Sequence, residues 1–208
     1  MKKLDDIQRP GALIEDLLSD NPLMATIKLA RYKFASRMLS KDDIVLDLGC
    51  GSGLSSYFFS SFCQSVIGID ASDEHKQYWD KLENNKLSFI YQDVFSMSIQ
   101  QPVTAIINLD FIEHFTKEDG SKIIKNSRDI LNKSNGGMFI CGTPSRFSSA
   151  YRAEHNKAHH LYEYEPDELH SLCREYFPRC LQFSMNDEVV HTGFNKLAWY
   201  TFVIGFSS

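Results

Sequence analysis

Two short stretches concentrate side chains able to move a proton. In "DFIEHF", Asp110, Glu113 and His114 stand at i, i+3 and i+4. On one helical turn they would share a face. In "EHNKAHHLYEYEPDEL", His155, His159 and His160 come just before Glu163. Histidine is the usual general base near neutral pH, so either stretch can supply one. Each also has a plainer reading: a structural buttress in the first, solvated loop histidines in the second. His155 and His159 have the i, i+4 spacing of two metal ligands on a helix, but no third ligand is set by that spacing and a metal is not expected.

A third stretch, "VLDLGCGSG" over residues 45–53, places Gly49, Gly51 and Gly53 on alternate positions after an apolar run. Glycine here lets backbone approach something closely. The dinucleotide pattern G-x-G-x-x-G/A would need Gly or Ala where Leu54 stands, and no G-K-[ST] follows, so the turn is not built for a pyrophosphate. Asp47 precedes the turn on the same run. Asp70 ends the next apolar run, 19 positions after Gly51, and Asp93 ends the third. An acid at the end of the second strand of such a unit accepts from ribose hydroxyls. A carboxylate at the third can receive an adenine amino group. Together the acids fit an adenosine without phosphates, although either one taken singly could be a helix cap.

The surrounding elements follow from periodicity. "LIEDLL" and "MATIKLARYKFASRML" have helical spacing. "DIVLDLG", "SVIGID", "LSFIYQD", "VTAIINLD" and "MFICGTP" read as strands. "LSSYFFSSF", "SDEHKQYWDKL" after Ser72 and "TKEDGSKIIKNSRDIL" after Thr116 read as helices. Near-continuous apolar strands alternating with helices predict a parallel sheet covered on both faces. "EPDELHSLCREYF" is a helix with Pro166 in its first turn. The stretch 145–157 reads as a loop over the site. Beyond the helix, two strands with a connecting loop form an antiparallel pair at the sheet edge.

The 208 residues suit one α/β domain: a helical segment over 1–40, a ligand-binding core over 41–144, and an acceptor-side loop, helix and closing strands over 145–208. A net charge of −5 argues against a nucleic-acid partner. The N-terminus does not read as a signal peptide, and no stretch is apolar for long enough to span a bilayer. Five cysteines without a C-x-x-C pair fit reduced thiols in the cytoplasm rather than zinc or disulfides.

Over roughly residues 28–180 the sequence resembles the class I S-adenosylmethionine-dependent methyltransferases, on "VLDLGCGSG", "VIGID", "YQDVF" and "LDFIEHF". The resemblance implies a single doubly wound, Rossmann-like domain with a seven-stranded, mostly parallel sheet whose last strand is antiparallel. It implies S-adenosyl-L-methionine as cofactor. Asp47, Gly49, Cys50, Gly51 and Gly53 would lie against its methionine part. Asp70 and Ala71 would take the ribose, Asp93 and Val94 the adenine. Asn108 or Leu109 would approach the sulfonium through backbone, and Arg31 or Tyr32 the cofactor carboxylate. Many relatives carry histidine where Lys28 stands.

The acceptor is left open by these motifs. Small-molecule members resemble this chain at His160 and Glu163, which makes His160 or His114 the candidate base. The Asn-Pro-Pro-Tyr type motif of base-amine methyltransferases is absent, since "NLDF" occupies that place. No cysteine nucleophile stands in that loop. Phe147, Tyr151, Tyr162 and Tyr164 would stack on a ring, and Arg146 and Arg152 would pair with a phosphate or carboxylate. O-methylation of a sugar or nucleotide-linked sugar is the first expectation. N- or C-methylation of a metabolite or quinone-type precursor, or a non-catalytic cofactor-binding partner, are the others.

Overall fold

A computed structural model describes residues 22–134, 136–151 and 159–207; the side chains of Ala150 and Tyr151 lie outside it. Helix α1 (Leu23–Met38) leads into β1 (Ile44–Leu48), α2 (Leu54–Ser60), β2 (Ser65–Asp70), α3 (Asp73–Leu82) and β3 (Leu87–Tyr91). Then follow β4 (Ala105–Leu109), α4 (Lys117–Lys133), β5 (Met138–Pro144), α5 (Pro166–Tyr176), β6 (Arg179–Asn186), β7 (Val189–His191) and β8 (Tyr200–Phe206). The expected "LIEDLL" helix lies outside the described residues.

One sheet of eight strands runs in the order β3-β2-β1-β4-β5-β8-β6-β7. Strands β1 to β5 are mutually parallel; β8 is antiparallel to both β5 and β6. All five residues of β4 are buried. Two cores flank the sheet. Ile123, Ile124 and Leu131 of α4 and Leu169, Leu172 and Cys173 of α5 cover one face. Ala35 of α1, with Phe59 and Cys63, covers the other. Strand order reverses between β1 and β4, which opens a crevice at their carboxyl ends.

The tail departs from expectation by one strand, so the sheet has eight rather than seven. The connection after β6 turns back at once: Asn186 pairs with Val189 across a two-residue turn in which Asp187 has φ 57°. Aspartate tolerates that conformation, and the β-branched Val189 and Val190 then add a short edge strand. The expected cap at Thr116 is present, its Oγ1 accepting from the Asp119 amide at 3.2 Å. At α3 the Ser72 side chain makes no cap; Ser72 instead donates its amide to Asp70 Oδ1 at 2.7 Å.

Candidate active site

The glycine turn joins β1 to α2. Gly49, Gly51 and Gly53 have φ of 70°, 50° and 84°, a region L side chains rarely adopt. The turn is pinned from below. Gly49 and Cys50 donate their amides to Ile69 O at 2.9 and 3.1 Å. Gly51 N donates to Asp70 Oδ2 at 2.9 Å, and Trp79 Nε1 donates to Gly51 O at 2.9 Å. Buried Asp47 ties strand to helix, its Oδ2 accepting from Ser55 and Ser56 hydroxyls at 2.8 and 2.6 Å. Burial pushes its carboxyl up to about 6, against the pull of those two hydrogen bonds.

What the glycines approach differs from one to the next. A Cβ on Gly49 would stand 2.1 Å from Phe111 Cδ2, and one on Gly53 2.5 Å from Phe89 Cζ. Those two make room for rings of this chain. A Cβ on Gly51 would meet nothing nearer than His75 Cδ2 at 3.7 Å. Gly51 thus has room for a side chain beside His75. Cys50 is buried, its Sγ 2.9 Å from where a Gly68 Cβ would be, and burial with the charges of Asp47 and Asp70 pushes its thiol up.

The other cofactor candidates stand at or just past strand ends. Asp70 closes β2 with Ala71 exposed beside it. Each Asp70 oxygen accepts one backbone amide, which leaves lone pairs on both for hydroxyl donors. Exposed Asp93 follows β3, one oxygen accepting from Phe95 N at 2.7 Å, with Val94 buried next to it. Asn108 and Leu109 end β4. The buried Asn108 amide has no partner at either Nδ2 or Oδ1 among the described residues, a polar group left over at the crevice. These residues fit an adenosine-bearing ligand.

Arg31 projects from α1, its Nη1 2.6 Å from Asp110 Oδ1 and its guanidinium 4.0 Å over the Tyr200 ring. Tyr32 packs its ring on Phe58 and Phe59. Asp110 takes φ 52° just past β4. A 3-10 turn, Ile112–His114, follows in place of the expected α-helical turn. It buries Glu113 and exposes His114, so the two do not share one solvent face.

Glu113 ties the turn after β4 to the segment before α5. Thr143 Oγ1 donates to its Oε2 at 2.8 Å, and its main-chain oxygen accepts from Leu161 N at 2.8 Å and Tyr162 N at 3.2 Å. Burial, then the Asp110 charge, pushes its carboxyl up to about 8. The clamp brings His160 to His114, ring centroids 5.3 Å apart and 78° between planes. His114 Nδ1 lies 2.9 Å from His159 O, and His160 Nδ1 lies 2.8 Å from Glu163 Oε1. Facing an acceptor oxygen, each Nδ1 carries the proton, and neutral Nε2 is then the basic nitrogen. His155 and Arg152 lie outside the described residues.

Some expected roles meet competing contacts. Arg146 stacks over Tyr162 at 4.9 Å and lies 3.6 Å from both Glu165 and Glu168, so its charge is already met within the protein. Tyr164 is fully buried in the core and unable to stack on an acceptor. Thr143, Tyr200 and Phe111 belong to the site without having stood out in the sequence. Thr143 is next to last in β5, near a strand end, which was the one legible signal; Tyr200 arrives on a strand from the far end of the chain.

Residues 45–136 match a methyltransferase domain family. Over 99 residues the chain is 32% identical to the ubiquinone biosynthesis O-methyltransferase of Pelagibacter ubique; the match covers 46% of this chain and 40% of that protein's length. Among solved structures, PH0226 from Pyrococcus horikoshii OT3 superposes with a TM-score of 0.68 at 16% identity, covering 97% of this chain and 96% of that one. The magnesium protoporphyrin IX methyltransferase of Synechocystis PCC 6803, solved with bound SAH, gives 0.61 at 14% identity over 90% and 84%. At such identities the likeness is one of fold. With the sheet order and the glycine turn, the matched domain supports reading this chain as a class I S-adenosylmethionine-dependent methyltransferase.

Proposed function

We propose that the chain catalyses O-methylation of a hydroxylated small molecule, using S-adenosyl-L-methionine. The observation that carries this reading is the His160–Glu163 pair, 2.8 Å apart and held against His114 by the Glu113 clamp. Gly51, Asp70, Asp93 and Asn108 hold the cofactor at the crevice, with Ala71 and Val94 framing it. The bound cofactor supplies an electrophilic methyl group on a sulfonium. The chain's own part is to align the acceptor oxygen in line with that methyl and to take its proton. Glu163 fixes His160 with Nδ1 protonated, so Nε2 receives the hydroxyl proton as the C–O bond forms.

The acceptor classes that fit are a sugar and a phenol. The Pelagibacter ubique relative, a ubiquinone biosynthesis O-methyltransferase, favours the phenol as a second reading. Because Arg146 is engaged, a phosphate on the acceptor is not part of the proposal.

The test is transfer of a labelled methyl group from S-adenosylmethionine into a cell extract separated into water-soluble small molecules, lipids and macromolecules. Label in the water-soluble fraction, lost with His160→Ala, is the expected result. Label in lipid moves the acceptor to the quinone-type class. Label only in macromolecules, or in no fraction although S-adenosylhomocysteine binds, overturns the reading.

A further inference from the structure

We propose that His75 is a cofactor-binding residue, donating a hydrogen bond from Nε2 to the ribose that Asp70 receives. The proposal rests on the reading of the chain as an S-adenosylmethionine-dependent enzyme, and it holds whichever acceptor is methylated.

His75 is the third residue of α3, and its place is fixed from both sides. At the start of the helix, Ser72 N donates to Asp70 Oδ1 at 2.7 Å. One turn on, at i+4 and on the same face, Trp79 donates to Gly51 O at 2.9 Å. The Trp79 ring stacks on Phe89, centroids 5.1 Å apart and 13° between planes, and Phe89 is the ring that Gly53 makes room for. The 75–79 face of α3 therefore lies along the glycine turn. His75 shows Gly51 its Cδ2–Nε2 edge: Cδ2 is 3.7 Å and Nε2 4.0 Å from the place of a Gly51 Cβ. Gly51 N in turn donates to Asp70 Oδ2 at 2.9 Å. One residue thus joins the imidazole to the carboxylate that takes the ribose.

The ring is otherwise unused. Nδ1 is buried and has no hydrogen-bond partner among the described residues. A buried polar atom without a partner is uncommon and asks for a reason. A neutral imidazole carries one proton on its two nitrogens. With no acceptor at Nδ1, the proton is of use only at Nε2, on the edge that faces the turn. Each ribose hydroxyl has one donor and two lone pairs. Asp70 can only accept, so it takes the donors of the diol and leaves the lone pairs. An N–H beside Asp70 meets them. Carboxylate and imidazole then divide the diol, one accepting and one donating.

The test is calorimetric titration of the full-length protein with S-adenosylhomocysteine and with its 2′,3′-dideoxy analogue, which lacks the diol. His75→Leu should weaken S-adenosylhomocysteine binding about 3- to 10-fold, the range of one neutral hydrogen bond. His75→Gln, whose amide nitrogen also donates, should stay within about 2-fold of wild type. The analogue, weaker for both, should bind wild type and His75→Leu alike. The assignment is overturned if His75→Leu binds S-adenosylhomocysteine as wild type does, or if His75→Gln loses as much as His75→Leu. An equal loss toward both ligands also overturns it, being what a side chain that only supports the turn would give. Denaturant midpoints show that each variant is folded, and His75→Asn takes the place of His75→Leu if the latter does not fold. Wild type that binds no S-adenosylhomocysteine overturns the cofactor reading itself. Wild type that binds it, with His75→Leu unimpaired, overturns only the role of His75.

Discussion

Arg31 Nη1 lies 2.6 Å from Asp110 Oδ1 and joins the first helix to the backbone just beyond β4. The pair does three jobs at once. It anchors α1 over the crevice, it neutralises a carboxylate next to buried Glu113, and it holds Asp110 at φ 52°, a conformation that costs about 1–3 kcal/mol when surroundings enforce it. The Tyr200 ring under the guanidinium completes the seat.

Removing the cation should therefore be felt in stability. Arg31→Met is expected to cost about 1.5–3 kcal/mol, the range for a hydrogen bond to a charged group. Denaturant unfolding measures it. A double-mutant cycle with Tyr200→Leu should show a coupling of about 0.5–2 kcal/mol from the cation–ring contact. Additive losses would mean that the ring only packs.

Asp70 is the residue on which the ribose assignment turns. It already accepts the Gly51 and Ser72 amides, so Asp70→Ala should loosen the turn as well as remove acceptors. The expected loss in S-adenosylhomocysteine binding is about 1–3 kcal/mol by calorimetry. Asp70→Asn, which keeps one acceptor oxygen, should lose less. Affinity equal to wild type in both variants would remove Asp70 from the ligand site.

Asp47 makes a prediction about pH. Its folded carboxyl titrates near 6, up from 3.8, because it is buried. The folded chain keeps that proton where the unfolded chain has lost it. The group's contribution to stability is full below about pH 3.8 and lost as pH rises through about 6. Two pKa units correspond to about 3 kcal/mol. Asp47→Asn can still accept from Ser55 and Ser56 and carries no charge. It should be more stable than wild type by up to about 3 kcal/mol near neutral pH, with the gain gone near pH 4. Denaturant midpoints at the two pH values test this; a difference independent of pH would contradict it.

The sheet was readable because β1, β2, β4 and β5 are short apolar runs that end at acids, glycine or proline, and the first three lead on to a helical period or its cap. The strand-end acids were readable for the same reason: a polar residue closing an apolar strand stands at its carboxyl end. Strand β7 was not legible, since three residues after a tight turn carry too little pattern. The 3-10 turn at 112–114 was missed because i, i+3, i+4 spacing does not tell a 3-10 turn from an α-helical one. The contact of Tyr200 with Arg31 spans most of the chain. It depends on β8 inserting between β5 and β6, which no local pattern encodes. The loop arginine was read as available because the Glu165 and Glu168 that engage Arg146 belong to the next helix.

The three alternate glycines divide into two kinds, and alanine separates them. At Gly53 a side chain meets both a left-handed backbone, φ 84°, and the Phe89 ring 2.5 Å away. Gly53→Ala should lose about 1–2 kcal/mol for the conformation and about 1–3 kcal/mol more for overpacking. At Gly51 the backbone term is similar, with φ 50°, but the new methyl meets only the His75 ring, at an ordinary 3.7 Å. Its stability loss should stay near the conformational term alone. Its larger effect should fall on the ligand if the cofactor lies against that turn, as proposed above. Calorimetric unfolding and S-adenosylhomocysteine titration of both variants give four numbers. The expected pattern is crossed: Gly53→Ala the less stable, Gly51→Ala the weaker binder per unit of stability lost. If Gly51→Ala binds as wild type does, the ligand does not reach the turn at that residue, and the glycine there serves only the backbone.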